Sequence, residues 1–95
     1  KGYLIAQINV KNLDNYQEYL KNVTHIANKY GGKYIVRAGK YEIMEGEWPY
    51  QRNVVIQFPS IEKAQEFYNS KEYEPIKRIR LENAENNLII IEGGD

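Results

Sequence analysis

One short segment in the middle of the chain, EIMEGEWPYQRNVVIQF (residues 42–58), gathers side chains that could do chemistry. Glu45 and Arg52 flank a six-residue stretch that contains the only tryptophan, Trp48. Across the mouth of a hairpin, this carboxylate and this guanidinium would form a cross-strand ion pair. The alternative is that Glu45 accepts a proton from a substrate and Arg52 holds a substrate anion. We favour the ion pair, because structural ion pairs outnumber catalytic ones. Trp48 is interpreted as an interface anchor, with a lid over a ligand as the alternative.

Several other side chains of reactive types are better explained by packing or solvation. Tyr68 and Tyr73 lie near the end of a predicted helix and are expected to pack there with hydrogen-bonded hydroxyls. His25 lies opposite the apolar stripe of its predicted helix, so we expect it to be exposed. A solvated helix face is the expectation for three basic side chains, Lys77, Arg78 and Arg80.

Metal, cofactor and phosphate chemistry find no support in the sequence. With one histidine and no cysteine, no zinc or haem ligand set can be assembled, so we predict no metal and no cofactor. No glycine-rich phosphate loop follows a predicted strand. His25 has no partners at a spacing that would indicate a Ser-His-Asp triad.

The composition indicates one ordinary globular domain over residues 1–95. Thirteen basic side chains balance thirteen acidic ones, so neither a nucleic acid nor an anionic membrane is expected as a partner. The lack of cysteine fits a reducing compartment, and no apolar run is long enough to span a membrane. We therefore expect a cytoplasmic protein.

The pattern of apolar residues predicts four strands and two main helices. The strands are residues 3–10, 33–38 (continuing through 41–44 after a bulge or bend at Gly39), 53–58 and 87–92. Asn12 caps the first helix, which Gly31-Gly32 ends, and Ser60 caps the second; a short helical turn starts near Glu74. The order βαββαβ predicts an α+β, ferredoxin-like sandwich with a four-stranded antiparallel sheet and both main helices on one face.

The face of the sheet without helices decides the quaternary structure. Alternation along the strands places apolar and polar side chains together on this open face, namely Ile5, Ile35, Val55, Gln7, Asn9, Gln57 and Arg37. Such a face is too apolar to stay fully hydrated and too polar for a dry core. A homodimer formed face to face, with a partly polar interior, satisfies both conditions.

A ligand pocket is expected between this open face and the partner subunit. Arg37 would be its main positive group, and Gln7, Asn9 and Gln57 would supply hydrogen bonds. Nearby tyrosines would form the walls, and Trp48 and Arg52 would close one end. Tyr68 and Glu45 complete the set of candidate ligand-binding residues. A guanidinium suits a small, flat, anionic or carbonyl-bearing molecule. In the competing interpretation a carboxylate of the protein, Glu42 or Glu45, pairs with Arg37.

The run GGKYIVRAGKYEIMEGEWPYQRNVVIQFPSIEKAQEFYNSKEY resembles the domain of unknown function 1330 family. The features that carry the resemblance are Tyr16 and Tyr19, Gly31-Gly32, Arg37, Glu45-Gly46, Trp48, Arg52, Phe58-Pro59-Ser60, Tyr68, Tyr73 and Arg80. Phe67 stands where the family often has tryptophan, a change that could reshape a pocket wall. The resemblance implies a dimeric α/β barrel of the ferredoxin-like group and implies no particular activity.

Two function classes remain after comparison with other proteins of this topology. RNA-recognition modules need aromatic side chains on the open face, where this chain has Ile5, Gln7, Val55 and Gln57. Acylphosphatases place a glycine-rich loop after the first strand, and NVKNLDN contains no glycine. What remains is a small-molecule binding dimer, which we favour, or a cofactor-independent monooxygenase or isomerase. The enzyme would need a pocket side chain with a strongly shifted pKa.

Overall fold

A computed structural model describes residues 1–95 as four strands and three helices. In chain order these are β1 (Gly2–Val10), α1 (Leu13–Lys29), β2 (Lys33–Arg37), β3 (Arg52–Phe58), α2 (Ile61–Tyr68), α3 (Glu74–Asn83) and β4 (Ala84–Glu92). The strands form one antiparallel sheet in the order β2-β3-β1-β4. The predicted α+β, ferredoxin-like fold is confirmed, with α3 as a full helix where only a turn was expected. No helix combines the length and the apolar character needed to cross a membrane.

Local sequence signals determine where the two main helices begin and where the first one ends. The side-chain oxygen of Asn12 accepts a hydrogen bond of 3.1 Å from the backbone N–H of Asn15, and Ser60 Oγ does the same for Lys63. After α1, Gly31 adopts a φ of 80°, a left-handed conformation that glycine tolerates without strain. These capping predictions are confirmed.

The core lies between the helices and one face of the sheet. The inward positions of β1 and β3 (Leu4, Ala6, Ile8, Val54, Ile56 and Phe58) are buried, as the alternation along the strands predicts. The stripe of α1 with Tyr16, Tyr19, Val23 and Ile26 packs into the same core. The other face of the sheet has no helix over it, so Ile5, Gln7 and Val55 there are only half-buried.

Strand β2 differs from its prediction in length and in register. It ends at Arg37, and residues 41–44 form no strand, so the predicted continuation is wrong. A bulge interrupts the pairing with β3 between Tyr34 and Val36, upstream of the predicted Gly39. Tyr34 pairs with Ile56 and Arg37 pairs with Val54.

The bulge moves Arg37 to the opposite face of the sheet from the one predicted. Ile56 and Val54 both face the helices, and cross-strand partners share a face, so Tyr34 and Arg37 face the helices as well. An extra residue in one strand inverts the alternation beyond it. The prediction of Arg37 on the open face is therefore wrong.

Candidate functional site

A cavity of about 130 Å³ lies between α1 and the inner face of the sheet. Inward-facing side chains of β1 and β3, together with α1, make most of its wall; they include Leu4, Ala6, Ile8, Val54, Ile56 and Val23. Phe67 of α2 and Leu88 of β4 complete the apolar surface. The cavity therefore lies within a single chain, on the side of the sheet opposite the predicted pocket.

Three arginines line this cavity without any acidic side chain. Arg37 comes from β2, Arg52 from β3 and Arg80 from α3, and neither aspartate nor glutamate is part of the lining. None of the seven salt bridges of the structure includes one of these arginines. The cavity thus carries positive charge that no carboxylate of the protein neutralises.

Arg80 is the deepest of the three charges, although the sequence predicted it on a solvated helix face. Only 1% of the residue is exposed. Its Nε donates to the hydroxyl oxygen of Tyr73 at 3.3 Å, and its Cζ lies 5.8 Å from the centre of the Tyr19 ring. The buried Nη2 has no hydrogen-bond partner. One sequence signal was available, because Tyr73, Ile76 and Arg80 follow at helical spacing and so share one face.

Three tyrosine hydroxyls lie beside this guanidinium. Tyr16 and Tyr19 follow each other at i and i+3 on α1, with ring centres 5.1 Å apart. The hydroxyls of Tyr19 and Tyr73 are 2.8 Å apart and share a hydrogen bond. The hydroxyl of Tyr16 is buried and has no hydrogen-bond acceptor on the protein. Tyr73 was predicted to pack with a hydrogen-bonded hydroxyl, which is confirmed; the buried arginine is one of its two partners.

The cavity keeps the tyrosines on α1 and β2 protonated at neutral pH. Burial raises the pKa of Tyr16, although the nearby charges of Arg52 and Arg80 oppose the shift. Burial also holds the pKa of Tyr19 well above its ordinary value. For Tyr34, burial raises the pKa to about 12 against the opposing charge of Arg37. These hydroxyls are therefore hydrogen-bond donors and not bases near neutral pH.

The mouth of the cavity is framed by Arg37, Thr24 and Arg52, which are exposed or half-buried. The Arg37 guanidinium stacks on the Tyr34 ring, 3.8 Å from its centre, and its Nη2 donates to Thr24 Oγ1 at 3.0 Å. This contact ties β2 to α1 at the entrance. Arg37 has no carboxylate within 4.0 Å, so the interpretation in which Glu42 or Glu45 pairs with it is wrong.

The remaining residues of the central segment lie elsewhere on the surface. Glu45 and Trp48 line a separate depression formed by residues 41–45, Trp48 and Asn53. Trp48 Nε1 donates to Asn53 Oδ1 at 2.7 Å, and its side chain stays half exposed. Arg52 lines the cavity instead, and no salt bridge joins it to Glu45, so the favoured ion-pair interpretation is wrong.

The polar residues predicted for the pocket on the open face do not reach the cavity. Asn9 donates through Nδ2 to Glu85 Oε1 at 2.9 Å, and Gln7 Oε1 accepts from Asn87 at 3.5 Å. Gln57 pairs with Tyr3 of β1 and lies on the same open face. Tyr68 lies under Lys77, whose Nζ is 4.4 Å from the ring centre. Of the predicted site residues, the structure brings only Arg37 and Arg52 together in the cavity.

Comparison with known proteins relates this architecture to one family. A family model described as Domain of unknown function (DUF1330) matches residues 1–94. No curated protein sequence matches the chain.

Solved structures share the fold at very low sequence identity. A protein of unknown function from Rhodopseudomonas palustris is 13% identical, with a TM-score of 0.77 over 99% of this chain and 82% of that one. A dimeric ferredoxin-like protein of unknown function from Jannaschia sp. CCS1 is 8% identical, with a TM-score of 0.76 over 97% and 98%. SnoaB, a cofactor-independent oxygenase from Streptomyces nogalater, is 6% identical, with a TM-score of 0.67 over 99% and 93%. Identities this low establish the shared fold alone.

Proposed function

The chain belongs to the DUF1330 family, and we propose that it binds a small organic anion, or a molecule with a carbonyl oxygen, in the cavity between α1 and the sheet. One observation carries the proposal: Arg80 is a fully buried guanidinium that lines the cavity and has no carboxylate partner. Arg52 and Arg37 add positive charge nearer the entrance. Arg37 keeps its predicted role in ligand binding, now on the helix-covered face.

The buried charge of Arg80 is costly for the protein without a ligand. A guanidinium stays protonated under all ordinary conditions, so Arg80 cannot escape the cost of burial by losing its proton. Burying an unpaired ion costs several kcal/mol even after relaxation of its surroundings. The contacts that Arg80 makes are one long hydrogen bond to a neutral hydroxyl and a distant aromatic ring. An oxyanion in the cavity would supply the missing charged partner.

The size and the walls of the cavity limit what this ligand is. A volume of about 130 Å³ is close to that of engineered cavities that take one benzene ring. The apolar side chains of β1, β3 and α1 would surround the carbon part of such a molecule. We therefore propose a ligand with one ring, or a short chain, and an oxygen that faces the arginines.

Binding is better supported than catalysis by the groups in the cavity. A general base for neutral pH needs a pKa near the pH at which it works. The lining contains no histidine, aspartate or glutamate, and burial moves the pKa of Tyr16, Tyr19 and Tyr34 away from neutrality. A cofactor-independent enzyme is the second candidate, and the shared fold with SnoaB is the observation in its favour.

We also propose that two copies of the chain associate through the open face of the sheet. Ile89 of β4 is 55% exposed there, and Ile91, Ile5 and Val55 extend the apolar area. Gln7, Asn9 and Gln57 give this surface the polar fraction that a wet interface contains. A neighbour with the same fold, from Jannaschia sp. CCS1, is described as dimeric. Trp48, half exposed in its loop, is a further candidate for the contact.

The ligand proposal is tested with a panel of single-ring and short-chain carboxylates and carbonyl compounds, using thermal stability as the readout. A ligand present at 100 times its dissociation constant should stabilise the protein by about 2.7 kcal/mol. The decisive variant is Arg80→Met, and Arg78→Met on the same helix is its matched control, because Arg78 is exposed and contacts only Glu74.

A ligand found in this panel should bind the Arg80→Met protein about 10- to 150-fold more weakly. This range corresponds to one hydrogen bond to a charged group, about 1.5–3 kcal/mol. The Arg78→Met protein should bind like the wild type. Equal affinity of the wild type and Arg80→Met for every ligand would refute the proposed site.

A further inference from the structure

Hydrogen-bond donors outnumber acceptors in the deep part of the cavity. Arg80 can only donate, and its Nε already donates to Tyr73. Tyr73 and Tyr19 hold two hydroxyl hydrogens, of which one lies between their oxygens and the other has no acceptor on the protein. Neither the Tyr16 hydroxyl nor Arg80 Nη2 has a hydrogen-bond acceptor on the protein. At least three donor groups in this part of the cavity therefore remain without an acceptor on the protein.

The other side chains of the lining provide no hydrogen-bond acceptor for these donors. The lining contains no carboxylate, carboxamide or imidazole, and the hydroxyl of Thr24 already accepts from Arg37. The tyrosine oxygens do have free lone pairs. A ligand hydrogen placed on one of them, however, leaves that tyrosine's own hydrogen still without an acceptor. A ligand that brings its own O–H hydrogen therefore adds to the imbalance.

We infer that the cavity selects a single-ring phenol or enol and binds it in the ionised form, with one oxygen atom receiving the free hydrogens of Arg80, Tyr16 and the Tyr19–Tyr73 pair. This inference rests on the proposed function and names the ligand class of the same cavity. An ionised oxygen carries no hydrogen and accepts several hydrogen bonds. It also neutralises the buried charge, which an alcohol or a neutral phenol does not.

The hydrogen bond to Tyr73 closes one edge of the Arg80 guanidinium to a carboxylate. A carboxylate pairs best with two guanidinium nitrogens in parallel. The edge of the guanidinium formed by Nε and Nη2 is not free for this, because Nε is occupied by the Tyr73 hydroxyl, so a carboxylate could use only the edge formed by Nη1 and Nη2. Nη2 and the adjacent tyrosine hydroxyls instead present separate donors from α1 and α3, as suits one oxygen approached from several directions.

The test uses 4-nitrophenol, a single-ring probe whose ionised form is yellow and whose neutral form is nearly colourless. Protein is added to 4-nitrophenol in a buffer acidic enough to keep most of the free probe neutral. We expect yellow absorbance to increase with protein concentration, because the phenolate should bind about 10-fold or more tightly than the phenol. The same titration is run with Arg80→Met and Tyr16→Phe, which remove donors, and with Arg78→Met as control.

Two further ligands separate the inference from the proposal on which it rests. 4-Nitroanisole has a similar size but cannot ionise, and it should bind at least about 10-fold more weakly than 4-nitrophenol. Benzoate tests anion binding without a phenol. If benzoate binding depends on Arg80 but 4-nitrophenol binds without a colour change, the inference is wrong and the proposed function stands. If neither 4-nitrophenol nor benzoate nor any other ligand of the panel binds in an Arg80-dependent way, the proposed function fails, and the inference with it.

Discussion

The replacement of Arg80 by methionine has an expected effect on stability that distinguishes a ligand-binding group from a structural one. In the ligand-free protein, the Arg80 guanidinium is 1% exposed and has no carboxylate partner. Methionine has a similar length and no charge, and it adapts to irregular apolar space. We therefore expect the variant to be more stable than the wild type when no ligand is present.

The size of the effect follows from the contacts of Arg80. The variant loses one hydrogen bond of 3.3 Å to Tyr73, worth about 1 kcal/mol, and a cation–π contact at 5.8 Å from Tyr19, worth about 0.5–1 kcal/mol. It no longer carries an unpaired buried ion, which costs several kcal/mol. Tyr73 keeps its hydrogen bond to Tyr19. The unfolding free energy should therefore rise by about 1–3 kcal/mol, and for a domain of this length Tm should rise by at least about 4 °C.

The assay is urea denaturation at pH 7 followed by far-ultraviolet circular dichroism. The protein is first unfolded and refolded to remove any retained ligand, and all variants are compared at one protein concentration because association alters apparent stability. Arg78→Met, which removes only an exposed contact of 3.5 Å to Glu74, should change the unfolding free energy by less than about 1 kcal/mol. If Arg80→Met instead lowers the unfolding free energy by about 2 kcal/mol or more, the unpaired charge of Arg80 is not a cost to the folded protein, and Arg80 is a structural residue.

Three further predictions concern the alkaline limit, the dimer and the central segment. Burial raises the pKa of Tyr34 from 10.0 to about 12, so the neutral hydroxyl stabilises the folded state below pH 10, and this stabilisation is lost between pH 10 and 12. Between pH 8 and 11 the unfolding free energy of the wild type, measured with urea, should fall by roughly 1 kcal/mol more than that of Tyr34→Phe. Equal decreases in the two proteins would contradict this prediction. Ile89→Lys on the open face should convert the proposed dimer to a monomer, as measured by sedimentation velocity. The control variant Leu81→Lys, at an exposed position of α3, should remain a dimer. A dimeric Ile89→Lys protein would place the interface elsewhere. Since Glu45 and Arg52 form no salt bridge, the stability effects of Glu45→Ala and Arg52→Ala should add within about 0.5 kcal/mol in the double variant; larger coupling would show that they interact.

The elements of the fold were predictable because their signals are local. The side chain of Asn12 caps α1 from three residues away, and the alternation of β1 identifies its buried face without any knowledge of its neighbours. The prediction of a continued strand over residues 41–44 was wrong. Those residues have suitable β-propensity, but they find no neighbouring strand to pair with, and strands depend on such pairing.

The candidate site was predictable only in its residue types. From the sequence, arginine was expected to hold a small anion, and Arg37 and Arg52 do line the cavity. The face of the sheet predicted for Arg37 was wrong, because the bulge between Tyr34 and Val36 moves its side chain to the opposite face. The alternation of side chains along one strand cannot reveal a bulge, since a bulge is defined by the pairing with a second strand.

The sequence by itself determined the order of the elements, their caps and the two faces of the regular strands, all of which depend on interactions within a few residues. Only the tertiary structure decided that Arg80 is buried and that a cavity exists beside it. Arg80 meets Tyr19, which is distant in the sequence, and the cavity is the space left where α1, α3 and the sheet pack against one another. Burial of a charge is thus a property of the assembled layers. The helical spacing of Arg80 with Tyr73 and Ile76 indicates that they share a face, but it does not show that this face is buried.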